Sequence, residues 1–255
     1  MKIDLNSDMG EGFGPYRIGD DEALMEIVSS ANVACGFHAG DPVIMDRTVR
    51  SAKARKVGIG AHPGLPDLMG FGRRIIQMDS AELEKHLVYQ IGALQGIAAA
   101  AGHKVTHVSY HAALGNMATA DKDVADVLAR AIAAIDRDLI VFSMPDTEVE
   151  RAAQRAGLRV LTLFLADRAY DEHGELVSRK RPNSVITSPD EVALRVRQFL
   201  DDGTVTTIEG KRLKMRARSI LVHSDTPGST QLARTVRETI EAGGGTVTPA
   251  TQILA

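Results

Sequence analysis

Short apolar runs alternate with longer amphipathic stretches along nearly the whole chain. Ile3 to Asn6 begins a strand. Asp20 or Asp21 can cap a helix that carries Leu24, Ile27, Val28 and Ala31 at helical spacing. Residues 32–37 predict a strand, 42–56 a helix and 57–61 a strand. Ser80 is placed to cap a long helix with Leu83, Leu87, Ile91 and Leu94 on one face. Next come a strand at 105–110, a helix at 122–135, a strand at 139–144 and a helix at 148–156 ended by Gly157. The pattern ends with a strand at 160–166, a helix at 189–200, a strand at 220–222 and a helix at 230–242. Between the last two helices, the Thr-rich stretch 204–218 predicts a hairpin turning at Glu209-Gly210.

About seven strand-helix units imply a parallel sheet with helices outside it. Periodicity fits an open doubly wound sheet as well as a barrel, and the barrel is the reading taken. No linker or low-complexity stretch divides the chain, so residues 1–255 are expected to form one β/α-barrel domain.

Composition narrows the function. Aromatic residues are 4% of the chain and there is no Trp, which disfavours a carbohydrate groove or a base-stacking platform. The net charge is −3 and basic residues are scattered, so nucleic acid is not an expected partner. The one basic run, Arg179-Lys180-Arg181, reads as a solvated loop. A single cysteine, Cys35, excludes an internal disulfide and suits a reducing compartment. There is no signal-peptide pattern, and no apolar run reaches the roughly 18 residues that a membrane helix needs. The expectation is a cytoplasmic protein.

The residues just beyond each strand carry the chemistry. The first strand runs into Ser7-Asp8-Met9-Gly10-Glu11 and the second into Cys35-Gly36-Phe37-His38-Ala39-Gly40-Asp41. The third ends at Ala61-His62-Pro63 and the fourth at His111. Asp167-Arg168 and His223-Ser224-Asp225 end the sixth and the last. In parallel α/β folds these C-terminal strand ends converge on one face, where ligands bind. A single strand-end histidine is as often structural as functional; four of them, His38, His62, His111 and His223, point to a site. His86, His103 and His173 fall mid-helix, ahead of a strand and in a polar loop, and read as bystanders. Cys35 reads as a small buried residue rather than a nucleophile. Arg73 and Arg74, in the long loop after the third strand, offer guanidinium forks suited to a carboxylate or phosphate. The glycines at 10, 12 and 14 do not form a dinucleotide fingerprint, because Pro15 interrupts them, and no Walker motif exists.

Asp4 to Glu11, Cys35 to Asp41, Gly60-Ala61-His62-Pro63, Phe71-Gly72-Arg73-Arg74, Ala166-Asp167-Arg168 and His223 to Gly228 together resemble the LamB/YcsF family. That family supplies the A subunit of the bacterial ATP-dependent 5-oxoprolinase. The resemblance implies an irregular seven-stranded parallel β/α barrel, similar to glycoside hydrolase/deacetylase barrels. It implies a hydrolase of cyclic amides working with B and C subunits, with ATP (and Mg) as co-substrate; self-association is left open. One stretch departs from the family. Where the family reads His-Val-Lys-Pro-His-Gly-Ala-Leu-Tyr, this chain has His107, Ser109, Tyr110, His111, Ala112 and Gly115 at the first, third, fourth, fifth, sixth and ninth positions. A positive charge is missing at Ser109.

Opening a lactam needs a base for water, an acid for the ring nitrogen, and cations for phosphate and carboxylate. Asp8 with His38 or His62 is the expected acid/base set, and His111 a second proton carrier. Asn6, Glu11, Asp41, Arg73, Arg74, Asp167, Arg168, His223 and Asp225 are expected to bind the substrate or its anionic groups. Two other readings stand beside this one. Asp8, His38 and His62 also suit a metal-dependent amide or N-acyl hydrolase. The altered stretch at Ser109 and Tyr110 suits a non-catalytic protein that binds a small acid for a partner.

Overall fold

A computed structural model describes residues 1–254. The strands of the ring are β1 (Lys2–Met9), β2 (Ser30–Ala34), β3 (Gly58–His62), β4 (Val105–Val108), β5 (Ile140–Ser143), β6 (Arg159–Leu165) and β9 (Ser219–Leu221). Each pairs in parallel with the next, and β9 returns to pair with β1, closing a seven-stranded barrel. The two-residue strand β10 (Thr246–Val247) adds to the start of β1. The hairpin predicted within 204–218 is β7 (Thr204–Thr206) with β8 (Arg212–Lys214), outside the ring.

The helices are α1 (Asp21–Met25), α2 (Pro42–Arg55), α3 (Ser80–Ala100), α4 (Ala112–Ala120), α5 (Lys122–Ile135), α6 (Glu148–Arg155), α7 (Pro189–Asp202), α8 (Ser229–Ala242) and α9 (Ala250–Ile253). Side-chain caps fix several starts. Asp79, not Ser80, caps α3, and Thr147 and Ser188 cap α6 and α7. Among the described residues no helix is long and apolar enough to cross a membrane.

Strand alternation sorts β1 into two faces. Ile3, Leu5 and Met9 are fully buried, in one apolar core with Leu87, Ile91, Leu128, Ile132, Val236 and Ile240 of the surrounding helices. Asp4, Asn6 and Asp8 turn the other way, into the barrel, where they meet polar groups of other strands. The barrel axis is therefore polar. Cross-strand register lines up Asp8, Asn32, Gly60 and His107 on four consecutive strands. Gly60 is the gap that lets His107 reach across β3: a Cβ there would lie 2.1 Å from the imidazole.

That layer has a defined proton arrangement. The Asp8 carboxylate accepts from the Asn32 amide (2.9 Å), and the second Asn32 N–H goes to Asn6 (2.8 Å). The Asn32 carbonyl oxygen is thus left facing His107 Nε2 at 3.0 Å, so that nitrogen carries the proton. Burial, followed by the neighbouring His62, pushes His107 down to about 3, so the ring is neutral. Asp4 closes the base of the barrel, accepting from Ser29, Ser30, Ser219 and Asn6. Burial nevertheless lifts its carboxyl above the usual range.

Candidate active site at the strand ends

The strand ends bring Asp8, His38, His62 and His111 to one place, joined by Glu11, and all five are buried. Gly10, at φ +68, turns the chain after β1 so that Glu11 enters the group. Gly64 leaves room for His38, since a Cβ there would sit 2.5 Å from its Nδ1. His38 and His111 stack at 3.7 Å between centroids, and His62 stands edge-on to both.

Hydrogen bonds set the tautomers. The Ser109 carbonyl accepts from His62 Nδ1 (2.7 Å), and the Phe71 carbonyl accepts from His111 Nε2 (2.8 Å). In the neutral rings the remaining nitrogens, His62 Nε2 and His111 Nδ1, carry lone pairs, and they face each other at 2.9 Å. Glu11 Oε2 accepts from Ser224, whereas Glu11 Oε1 and both His38 nitrogens have no hydrogen-bond partner. The ligand atoms of Glu11, His38, His62 and His111 all lie within 4.8 Å of one another, a donor set that could hold a metal ion. Every member resists charge on its own. Burial lowers His38 and His111 well below the usual histidine range and lowers His62 less, because Asp8 opposes it. Burial, then the charges of Asp8 and Asp225, raise Glu11 well above the carboxylate range.

Beside this cluster stands a second unit. Asp167 is buried and accepts from His223 Nδ1 at 3.0 Å and from Thr226 at 2.6 Å. Burial pushes the His223 imidazole down, but the Asp167 charge and hydrogen bond, with Asp8 behind them, outweigh it and leave His223 above its ordinary value. Asp167 ends below the usual carboxylate range for the reciprocal reason: its own burial is outweighed by His223 and Thr226.

The loop after β3 lies over the cluster. Phe71 stands edge-on to His111 at 5.0 Å, and Arg73 sits over the Phe71 ring. Gly72 is so close that a Cβ would fall 2.7 Å from His38 Cβ. The Arg73 guanidinium pairs with Asp225, which also faces Arg179 at 3.6 Å.

Several expectations change. Asp41 is not in the site: it caps α2, accepting from Val43 and Ile44, and also holds Gly14. Arg74 turns outward and pairs with Asp67, so the second cation at the mouth is Arg179, from the run that reads as a solvated loop. Arg168 spends its guanidinium on the Ser184 and Val177 carbonyls, tying down the loop that follows β6. Asn6 lies one layer below the mouth, bonded to Asn32 and Ser219. Glu11, expected as a substrate contact, belongs with the imidazoles. The layer of Asn32, Gly60 and His107 escapes a reading of strand ends alone; its signal is polar residues at period two in Asp4-x-Asn6-x-Asp8. Cys35 is buried, and burial pushes its thiol up to about 12.

Several proteins are similar to this chain over its full length. A protein of Bradyrhizobium diazoefficiens named as a 5-oxoprolinase A subunit is 75% identical over 254 residues, covering all of both chains. The 5-oxoprolinase A subunit of Pectobacterium atrosepticum is 60% identical, with 100% of this chain and 99% of that one covered. Among solved structures, the lactam utilization protein of Thermus thermophilus superposes with a TM-score of 0.92 at 41% identity, covering 97% of this chain and 99% of that one. The LamB/YcsF family pattern matches residues 3–255. On that match, and on relatives this similar over their whole length, the chain belongs to the LamB/YcsF family.

Proposed function

We propose that this chain is the A subunit of a cytoplasmic ATP-dependent 5-oxoprolinase, opening the 5-oxoproline lactam to L-glutamate together with B and C subunits. The observation that carries the reading is the gathering of Asp8, Glu11, His38, His62, His111 and the Asp167–His223 pair at one rim of the barrel. The named relatives supply the substrate.

Resonance makes a lactam carbon a poor electrophile. Transfer of the terminal phosphoryl group of ATP to the amide oxygen, releasing ADP, makes that carbon reactive. A first water adds to it, the carbon–nitrogen bond breaks as nitrogen takes a proton, and a second water frees phosphate. Asp8 is the base: Asn32 holds one of its oxygens, and the carboxylate stands 3.5 Å from His62. His223 is the acid, because Asp167 fixes Nδ1–H and leaves Nε2 for the ring nitrogen, the role a carboxylate plays toward histidine in hydrolase triads. Arg73 and Arg179 supply the cations for the carboxylate and phosphate, in place of the lysine missing at Ser109. The loop carrying Phe71 to Arg73 must shift to admit substrate.

The test is reconstitution with the B and C subunits, following ADP and glutamate together. Asp8→Asn and His223→Gln should each lower turnover by about 10²–10⁴-fold. Activity within a few-fold of the parent for both variants refutes the assignment. Lactam opening by this chain alone without ATP would instead support the metal-dependent hydrolase, which the Glu11–histidine donor set favours.

A further inference from the structure

We infer that Glu11, His38, His62 and His111 form a four-ligand site for one divalent transition-metal ion of the zinc class, and that Asp8 stands outside it. The inference does not rest on the lactam reading, since metal content is a property of the purified chain.

Four observations carry it. First, two lone pairs confront each other: His62 and His111 each spend their N–H on a backbone carbonyl, and their bare nitrogens meet at 2.9 Å. Two acceptors at that distance repel unless a cation or a proton lies between them. Second, the unsatisfied buried atoms aim at the same point. Glu11 Oε1 has no hydrogen-bond partner and lies 3.4 Å from His38 Nε2, 3.4 Å from His111 Nδ1 and 3.9 Å from His62 Nε2. Third, the spacing fits. Bonds of about 2.0–2.1 Å in a tetrahedron give edges of about 3.3–3.4 Å. The Glu11 separations start at that value, the His62–His111 pair lies inside it at 2.9 Å, and with all four atoms within 4.8 Å of one another the group draws in around an ion by small side-chain shifts. Fourth, the outer partners are those of a metal site, where a ligating histidine donates its other N–H to a carbonyl or carboxylate. His62 and His111 do so; His38 does not and is held by stacking on His111.

Donor chemistry selects the ion. Three imidazoles and one carboxylate suit zinc and its neighbours, whereas calcium and magnesium prefer oxygen cages. Asp8 falls outside the group of mutually close donor atoms, and Asn32 holds its Oδ1. It stays within 3.5 Å of His62, where it can take a proton from a group that the ion polarises.

The chain is purified without chelator and analysed by elemental mass spectrometry, then stripped and titrated with Zn²⁺ and Co²⁺. About one ion per chain is expected, and the cobalt form should show the visible absorption of a four-coordinate centre. Glu11→Gln and His62→Gln should each weaken zinc binding by more than the roughly 10–100-fold that losing an outer partner costs, while His173→Gln in an exposed loop leaves it unchanged. If the two site variants fail to fold, the stripped parent chain serves: its unfolding temperature should rise on adding zinc. Sub-stoichiometric uptake, no change in unfolding temperature, or site variants that bind like the parent would overturn the inference and leave a proton as the bridge between His62 and His111.

Discussion

Replacing Gly60 by Ala tests whether the polar layer inside the barrel is as tightly constrained as its hydrogen bonds imply. The added Cβ would lie 2.1 Å from His107 Cδ2 and 2.3 Å from Nε2, against ordinary contacts of 3.4–4 Å. The ring would have to retreat by more than an ångström. It cannot do so freely, because Phe142 stacks on it at 4.3 Å between centroids and its Nε2 donates to Asn32. Overpacking of this kind costs about 1–3 kcal/mol. If the ring yields, the buried Asn32 oxygen loses its donor, at about 1–3 kcal/mol more. The expected loss is therefore about 2–6 kcal/mol, read as a drop in the urea midpoint with an unchanged slope. A double-mutant cycle sharpens the test. In a His107→Ala background the clash is gone, so Gly60→Ala should cost little, and the coupling between the two sites should approach the whole penalty. A Gly60→Ala cost below about 1 kcal/mol, or simple additivity with His107→Ala, would refute the idea of a locked layer.

The same geometry sets two further outcomes. The Asp167–His223 pair gives stability a pH window: with His223 raised and Asp167 lowered, its contribution fades as pH climbs through the elevated histidine value or falls through the depressed carboxylate value. Asp167→Asn should abolish that alkaline decline in urea unfolding and cost about 3–5 kcal/mol near neutrality, as breaking a buried pair does; a profile that keeps the parent's shape would argue against it. Ala112 follows His111 with φ +36, a conformation that costs a residue with a Cβ about 1–2 kcal/mol. The family's glycine at this position removes that strain, so Ala112→Gly should raise stability by up to about 1 kcal/mol after the extra unfolded-state entropy, and a lower thermal midpoint would contradict it.

Much of this molecule is legible in its residues. The helix read over 122–135 is α5 with the same bounds, because Asp121 caps it and its apolar face is continuous. The hairpin after residue 203 turns where Glu209-Gly210 indicates. The first strand runs past Asn6 to Met9, and Asp8 looks unlike a strand residue until the barrel interior is known to be polar. Ala31 fits a helical face by spacing yet belongs to β2, since α1 ends at Met25. The helix α4 escapes notice because it begins at a left-handed alanine and contains Gly115. Strand-end position finds His38, His62, His111 and His223. It cannot say that Glu11 turns inward or that Arg74 turns out, because loop path and cross-strand register decide both.

The way the ring closes has a consequence for the order of events during synthesis. The opening strand takes its neighbours from both ends of the chain, β2 on one side and β9 with β10 on the other. Until the ribosome has delivered Ser219 to Leu221, the segment carrying Asp8 and Glu11 lacks half its lateral support. Hydrogen bonds from Ser219 to Asp4 and from Ser224 to Glu11 join the two ends of the chain, and such long-range closure is slow to form. Nascent chains should therefore stay incompetent until β9 has been translated and has paired with β1.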